Sequence, residues 1–346
     1  MKIEDVLSLV RPHLLTLQPY SSARDEFDQE KNKDFNFTYL DANENPFETG
    51  HNRYPDPHQR ELKKLIAPIK GVDINQIFLG NGSDEAIDLV IRLFCSERDN
   101  ILIPAPTYGM YKVSAEINHI HIKTALLDED FNLTNSFMSN IDMNTKVIFL
   151  CSPNNPSGNL LDVQSVLDQF KGIVVVDEAY LDFTTSRGFI KQIDNYPNLI
   201  ILQTFSKAWG LAGLRLGMAF ARPEVISLIN KIKPPYNISS ATQQLALKAI
   251  ANADQVKPWI NLIKSERERV ATELSKLRTV KKVFPSEANF LLVRIEAAQE
   301  VYDDLTGDRI VVRDRSTVVR CEDCLRITIG TPDENDRLIA AVKRSL

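Results

Sequence analysis

Between Ile77 and Phe220, short apolar runs alternate with helical periods, and this limits the folds open to the chain more than any other feature. The runs are IFL, ILIP, HIKTALL, VIFLC, IVVVD and LIILQ, separated by helical spacing at 83 to 95, after Thr107 and near 161 to 170. A continuous apolar run is the pattern of a strand covered on both faces. Strand and helix in alternation predict an α/β unit, a mainly parallel sheet with helices on both sides. Ligands of such sheets lie at the carboxyl ends of the strands.

After Pro234 and Pro235 the pattern changes. Long helical stretches, LALKAIANA and INLIKSERERVATELSKL, lead into strands at VFP, NFLLVR, RIVVRD and CLRITIG and a closing helix, which predicts a second, smaller α+β domain. The expected division is an arm and extended segment at 1–48, a large domain at 49–235 and a small one at 236–346. Ile3, Val6, Leu7 and Val10 give the arm a helical period before Pro12 and Pro19 turn the chain toward Tyr20. The polar SSARDEFDQEKNKDFNF reads as exposed connection. Asn43, Asn45 and Pro46 signal a turn, and Pro55 and Pro57 keep Tyr54 in a loop ahead of a helix carrying Leu62, Leu65 and Ile66.

With 41 basic and 46 acidic side chains, a net charge of -5 and no long basic block, the chain is not built to follow a nucleic-acid backbone. No apolar run approaches the roughly 20 residues of a membrane span, and Glu4 and Asp5 stand where a signal peptide is basic, so the expected location is cytoplasmic. Cys321 and Cys324 have no second Cys or His pair at zinc spacing and read as buried thiols, so no metal is expected. His119 and His121 read as surface residues.

Chemistry concentrates at LIILQTFSKAWGLAGLRLGMAF, where a buried strand from Leu199 runs into Ser206 and Lys207. Gly210, Gly213 and Gly217 read as places of close backbone approach. Lys207 with Arg215 sets an amine beside a fixed cation, which suits a ligand with a carbonyl and a phosphate. In GNGSDEAIDLVIRLF, Ser83 reads as a helix N-cap, and the turn is either a simple helix start or an anion cradle; Asp84 and Glu85 would compete with the anion unless turned away. Tyr108 is either core or a ring set against a planar ligand. Asn155 points an amide into the cleft or is a plain loop residue. Asp177, ending a buried strand, needs a cation, whether lysine, arginine or a protonated pyridine nitrogen.

The order Asn155, Asp177, Tyr180, Ser206-Lys207, Arg215, each at or past a strand's end, resembles the fold-type I pyridoxal-phosphate aminotransferases of class II. Within that group the chain is similar to the histidinol-phosphate aminotransferase family through QPYSSAR, LDANENPF, RYPDP, GNGSDEAIDL, PTYGMY, SPNNPSG, VVVDEAY, TFSKAWGLAGLRLG, VVRDR and LRITIGT. The resemblance implies that Lys207 bonds the aldehyde of pyridoxal 5'-phosphate and that Asp177 pairs with its ring nitrogen. It implies that Asn155 and Tyr180 hold the phenolic oxygen, that Tyr108 stacks on the ring, and that Ser83, Asp84, Ser206 and Arg215 hold the phosphate. Lys207, kept less basic by Arg215, would then move the substrate proton. Tyr54 would reach the phosphate from a partner subunit, making a homodimer with shared sites. Tyr20, Asn43, Arg313 and Arg326 would bind the substrates, glutamate and histidinol phosphate, in a ping-pong transamination. Rivals are an aromatic-amino-acid aminotransferase, a threonine-phosphate decarboxylase and a non-catalytic ligand sensor.

Overall fold

The computed structural model describes residues 1–20 and 37–345. The polar connection predicted from Ser21 therefore falls outside the described residues, except for Phe37. A seven-stranded sheet is built from β1 (Ile77–Asn81), β2 (Asn100–Ala105), β3 (His121–Leu126), β4 (Thr145–Cys151), β5 (Ile173–Asp177), β6 (Leu199–Thr204) and β7 (Leu216–Phe220). Their order is β1-β7-β6-β5-β4-β2-β3, parallel from β6 through β3. Only β7 is reversed, pairing antiparallel with both β1 and β6.

The strands sort their side chains by the two-residue period of extended backbone. Ile148 and Leu150 of β4, Val174 and Val176 of β5, and Leu199 and Ile201 of β6 face one apolar layer. Phe149, Val175, Ile200 and Leu202 face the other. Each such buried side chain stabilises the fold by about 1.5–3 kcal/mol, which is why these runs are apolar at every position. Helices cover both faces. Gly82–Phe94 buries Ala86, Leu89, Val90 and Leu93, and Pro223–Ile232 buries Val225, Ile226 and Ile229 on the same side. Arg60–Lys70 buries Leu62 and Ile66 on the opposite side, but Leu65 remains 40% exposed.

The smaller sheet is antiparallel and ordered β10-β11-β9-β8, from β8 (Val280–Val283), β9 (Phe290–Ile295), β10 (Arg313–Asp314) and β11 (Cys324–Thr328). One face buries Leu291, Val293, Leu325 and Ile327 against the helices Val256–Ser275, Ala298–Gly307 and Pro332–Arg344. The other sets Phe290, Leu292 and Cys324 into the same apolar cluster as Tyr180. The expected strand at RIVVRD pairs over only two residues. Arg309 takes a φ of 61°, and Val311 is 81% exposed, so the chain joins the sheet late. All four cysteines are buried and unpaired, and His119 and His121 are exposed.

Candidate active site

At the carboxyl ends of β4, β5 and β6 the chain leaves a recess of about 490 Å³ including its mouth. Parallel pairing brings Cys151 beside Asp177, and β6 ends next to them at Thr204. The recess gathers Ser83, Asp84, Tyr108, Asn155, Asp177, Tyr180, Ser206, Lys207 and Arg215 from six separate segments. These are nine of the residues singled out in the sequence.

Asp177 is 2% exposed, and burial pushes its carboxyl up to about 6. Two donors hold its charged form: the Tyr111 hydroxyl at 2.8 Å on Oδ2 and the Ala179 N–H at 3.1 Å on Oδ1. Neither is a cation. Its neighbour Glu178 is also buried, pushed up to about 7, and is held by Gln203 at 2.9 Å and the Phe189 N–H at 2.6 Å on the far side of the strand end. Asn155 donates to the Tyr180 hydroxyl at 3.4 Å, and its amide oxygen accepts from the Arg326 guanidinium. Tyr180 packs its ring edge-on to Phe290, 5.1 Å between centres, and burial raises its hydroxyl well above the usual phenol range.

Lys207 opens toward the recess with its Nζ 5.5 Å from the centre of the Tyr180 ring. Burial lowers its proton affinity first and Arg326 second; Arg215, expected to carry that effect, stands behind both, while Asp177 and Asp84 oppose it. The cation nearest in effect is therefore contributed by the smaller sheet.

The opposite corner of the recess is a cradle of backbone. The helix begins at Gly82 with Asn81 as its N-cap, so Ser83 lies in the first turn and is not the N-cap the sequence suggested. Gly82 takes a φ of +72° and donates its N–H to Arg215 O at 2.7 Å. A Cβ on Gly217 would stand 2.2 Å from the Gly82 carbonyl carbon and the Ser83 nitrogen, so this position admits no side chain. Of the other two glycines expected to allow close approach, Gly213 has nothing within 4 Å, and Gly210 has open space and a φ of +66°. Glu85 turns away to accept from the Asn81 N–H at 2.5 Å, whereas Asp84 faces inward, taking the Tyr108 hydroxyl at 3.0 Å and Arg215 at 3.3 Å. Ser206 Oγ is buried in this corner without a partner.

A ligand that fits carries an anion for the Ser83, Ser206 and Arg215 corner and a cation for Asp177, with an electrophile within reach of Lys207. Tyr108, edge-on to Tyr111 at 5.6 Å, stands between those ends.

Other expected residues lie elsewhere in the chain. Arg326 is half-buried beside Asn155, and Arg313 is its exposed cross-strand neighbour. Tyr20 is 70% exposed, and Asn43, at a φ of 55°, lines with Tyr54 a separate hollow beside Tyr236, on which Tyr54 stacks at 4.4 Å. None of these three lines the Lys207 recess. Sequence reasoning missed Tyr111, which donates to Asp177 from the helix Met110–Ile117 that follows Tyr108.

The family described as aminotransferase class I and II matches residues 29–342. A histidinol-phosphate aminotransferase of Parabacteroides distasonis is 51% identical, covering 99% of both chains, and one of Bacteroides thetaiotaomicron is 47% identical, covering 97% of both. The solved structure of the histidinol-phosphate aminotransferase from Clostridium acetobutylicum superposes with a TM-score of 0.77 at 28% identity, over 84% of this chain and 90% of that one. The chain belongs to the class I and II aminotransferase family.

Proposed function

We propose that this chain is a histidinol-phosphate aminotransferase, moving an amino group between glutamate and imidazole-acetol phosphate in a ping-pong cycle. Pyridoxal phosphate, the cofactor of this family, supplies an aldehyde that bonds an amine and a ring that withdraws the electron pair left at the substrate's Cα. The chain's own groups divide the rest of the work. Lys207 would attach the cofactor and, once released, its Nζ would take the proton from the substrate's Cα. Crowding by protein and by Arg326 keeps that amine less basic, which suits both duties. Asp177 would hold the ring nitrogen's proton, Asn155 and Tyr180 the phenolic oxygen, and Tyr108 the ring face. The Ser83 and Asp84 N–H groups, Ser206 Oγ and Arg215 would take the phosphate.

One observation carries the substrate reading: Arg313 and Arg326 are cross-strand neighbours on the sheet face that closes over Tyr180, and neither has a carboxylate partner among the described residues. Two guanidiniums without a carboxylate partner, one of them held by Asn155 of the Lys207 recess, suit a substrate with an anionic end beyond its amine.

The same reading makes the protein a cytoplasmic homodimer. Tyr54, Tyr20 and Asn43 would serve the partner's site, in keeping with their absence from the lining of the Lys207 recess in their own chain, and segments 1–48, 49–235 and 236–346 would act as arm, large domain and small domain.

The test mixes the purified yellow protein separately with histidinol phosphate, phenylalanine and O-phosphothreonine and follows loss of the cofactor's absorbance. Rapid conversion by histidinol phosphate, with 2-oxoglutarate restoring the absorbance as it takes up the amino group to become glutamate, is the expected result. Preference for phenylalanine, or carbon dioxide release from O-phosphothreonine, would overturn it.

A further inference from the structure

The short strand carrying Arg313 delivers a second arginine to the same face. Arg313 pairs with Arg326, and the Arg315 N–H donates to Cys324 O at 2.9 Å, so the ladder continues beyond the two residues of β10. Residues two apart on a strand share a face, and directly paired residues do too. Arg313, Arg315, Cys324 and Arg326 therefore lie on one side of the smaller sheet. Cys324 belongs to the apolar cluster that holds Tyr180, and Arg326 reaches Asn155, so this side is turned toward the Lys207 recess.

Arg315 Nε and Arg326 Nε are both buried without a hydrogen-bond partner. None of the three guanidiniums has a carboxylate partner among the described residues. Burial and mutual repulsion together hold the Arg315 and Arg326 guanidiniums below their usual affinity for protons. Three like charges gathered on one partly buried face are relieved by an anion of more than one charge.

We propose that Arg315 is a specificity-determining residue, the third guanidinium of the substrate's anion subsite, which sets a phosphate monoester apart from a carboxylate. The proposal rests on the transaminase reading given above. A phosphate monoester near neutral pH carries close to two negative charges on three oxygens, enough for three arginines. A carboxylate carries one charge on two oxygens and is satisfied by two. The third cation therefore adds selectively to the phosphorylated substrate, while glutamate relies on the other two.

The experiment uses holoenzyme carrying Arg315→Gln and, separately, Arg315→Lys. It reads the half-reactions with histidinol phosphate and with glutamate, and the inhibition of the glutamate half-reaction by inorganic phosphate. Arg315→Gln should lower kcat/KM for histidinol phosphate at least tenfold more than for glutamate, mainly through KM. The inhibition constant of phosphate should rise about tenfold, and Arg315→Lys should recover part of both losses. Equal losses with both substrates, or a phosphate inhibition constant unchanged from the parent, would overturn the proposal while leaving the transaminase reading intact. Wild-type protein that fails to react with histidinol phosphate would instead refute that reading, and the phosphate inhibition constants of parent and variant would then decide the role of Arg315.

Discussion

Replacing Tyr111 by Phe removes one oxygen from the interior and changes no shape, so its effect reads what the hydroxyl does for Asp177 and for the buried Cys151 thiol beside it. The hydrogen bond, 2.8 Å from that hydroxyl to Asp177 Oδ2, lies between groups that are 0% and 2% exposed, and the Ala179 N–H is the other donor to the same carboxylate. A buried hydrogen bond to a charged acceptor stabilises by about 1.5–3 kcal/mol, which corresponds to about one to two pH units of carboxyl affinity. Removing it moves Asp177 further up from about 6, so that the carboxyl stays largely protonated at neutral pH. The sign follows: the bond favours the charged form, so its loss is felt where the parent's Asp177 is ionised and much less where it is protonated. Urea unfolding of the cofactor-free proteins should give a destabilisation of about 1.5–3 kcal/mol at pH 8 and a clearly smaller one at pH 5. With Asp177 largely protonated and its charge missing opposite the ring cation it is proposed to hold, pyridoxal phosphate should bind about 10–100-fold less tightly, read by quenching of protein fluorescence. An equal loss of stability at both pH values together with unchanged cofactor affinity would refute the reasoning, because Tyr111 would then be a packing residue only.

Asp177 and Glu178 are both raised by burial, to about 6 and about 7, so the stability they confer is full below their unfolded values near 4 and is lost as pH rises through 6 to 7. The cofactor-free protein should therefore gain Tm on going from pH 7.5 to 5.5, and Asp177→Asn should flatten that slope; a parent Tm that falls over this interval contradicts the account. Gly217→Ala drives a Cβ into the Gly82 and Ser83 backbone, 2.2 Å away, where no side chain can yield. Overpacking of this kind costs about 1–3 kcal/mol, and the variant should bind pyridoxal phosphate far more weakly than its lowered Tm alone explains. Parent-like cofactor affinity would mean that this close approach does not shape the cradle.

The large sheet was legible because its strands are buried on both faces, which forces continuous apolar runs such as IVVVD and LIILQ that few other structures tolerate. The residues around Lys207 were legible for a related reason: each lies at or just beyond a strand end, where a polar group in an apolar context stands out. Asp177 is the clearest case, since its run of valines stops at a carboxylate. Tyr111 was not, because a buried tyrosine in a helix reads as core until the partner of its hydroxyl is known. The displaced effect of Arg215 has the same origin. In the chain Arg215 is the cation nearest Lys207, but Arg326, more than a hundred residues away, acts on it more strongly through the packing of the smaller sheet. The brevity of β10 was hidden as well, since RIVVRD has strand composition throughout, yet only Arg313 and Asp314 form the strand and Arg309 takes a left-handed φ.

The cradle for the anion joins two distant stretches, with Gly82 bonded to Arg215 and Gly217 lying flat against the Gly82 and Ser83 backbone. During synthesis the first stretch leaves the ribosome many residues before the second, at about 5–20 residues per second. Until β7 takes its place between β1 and β6, the early glycine turn lacks both the Arg215 carbonyl that the Gly82 N–H bonds and the Gly217 backbone that packs against it. With the cofactor held as proposed, its capture would wait for the last strand of the large sheet, and a ligand that binds only the completed arrangement draws the population toward it by mass action. The colour of the bound cofactor would serve as an indicator that the central sheet has closed in its correct order.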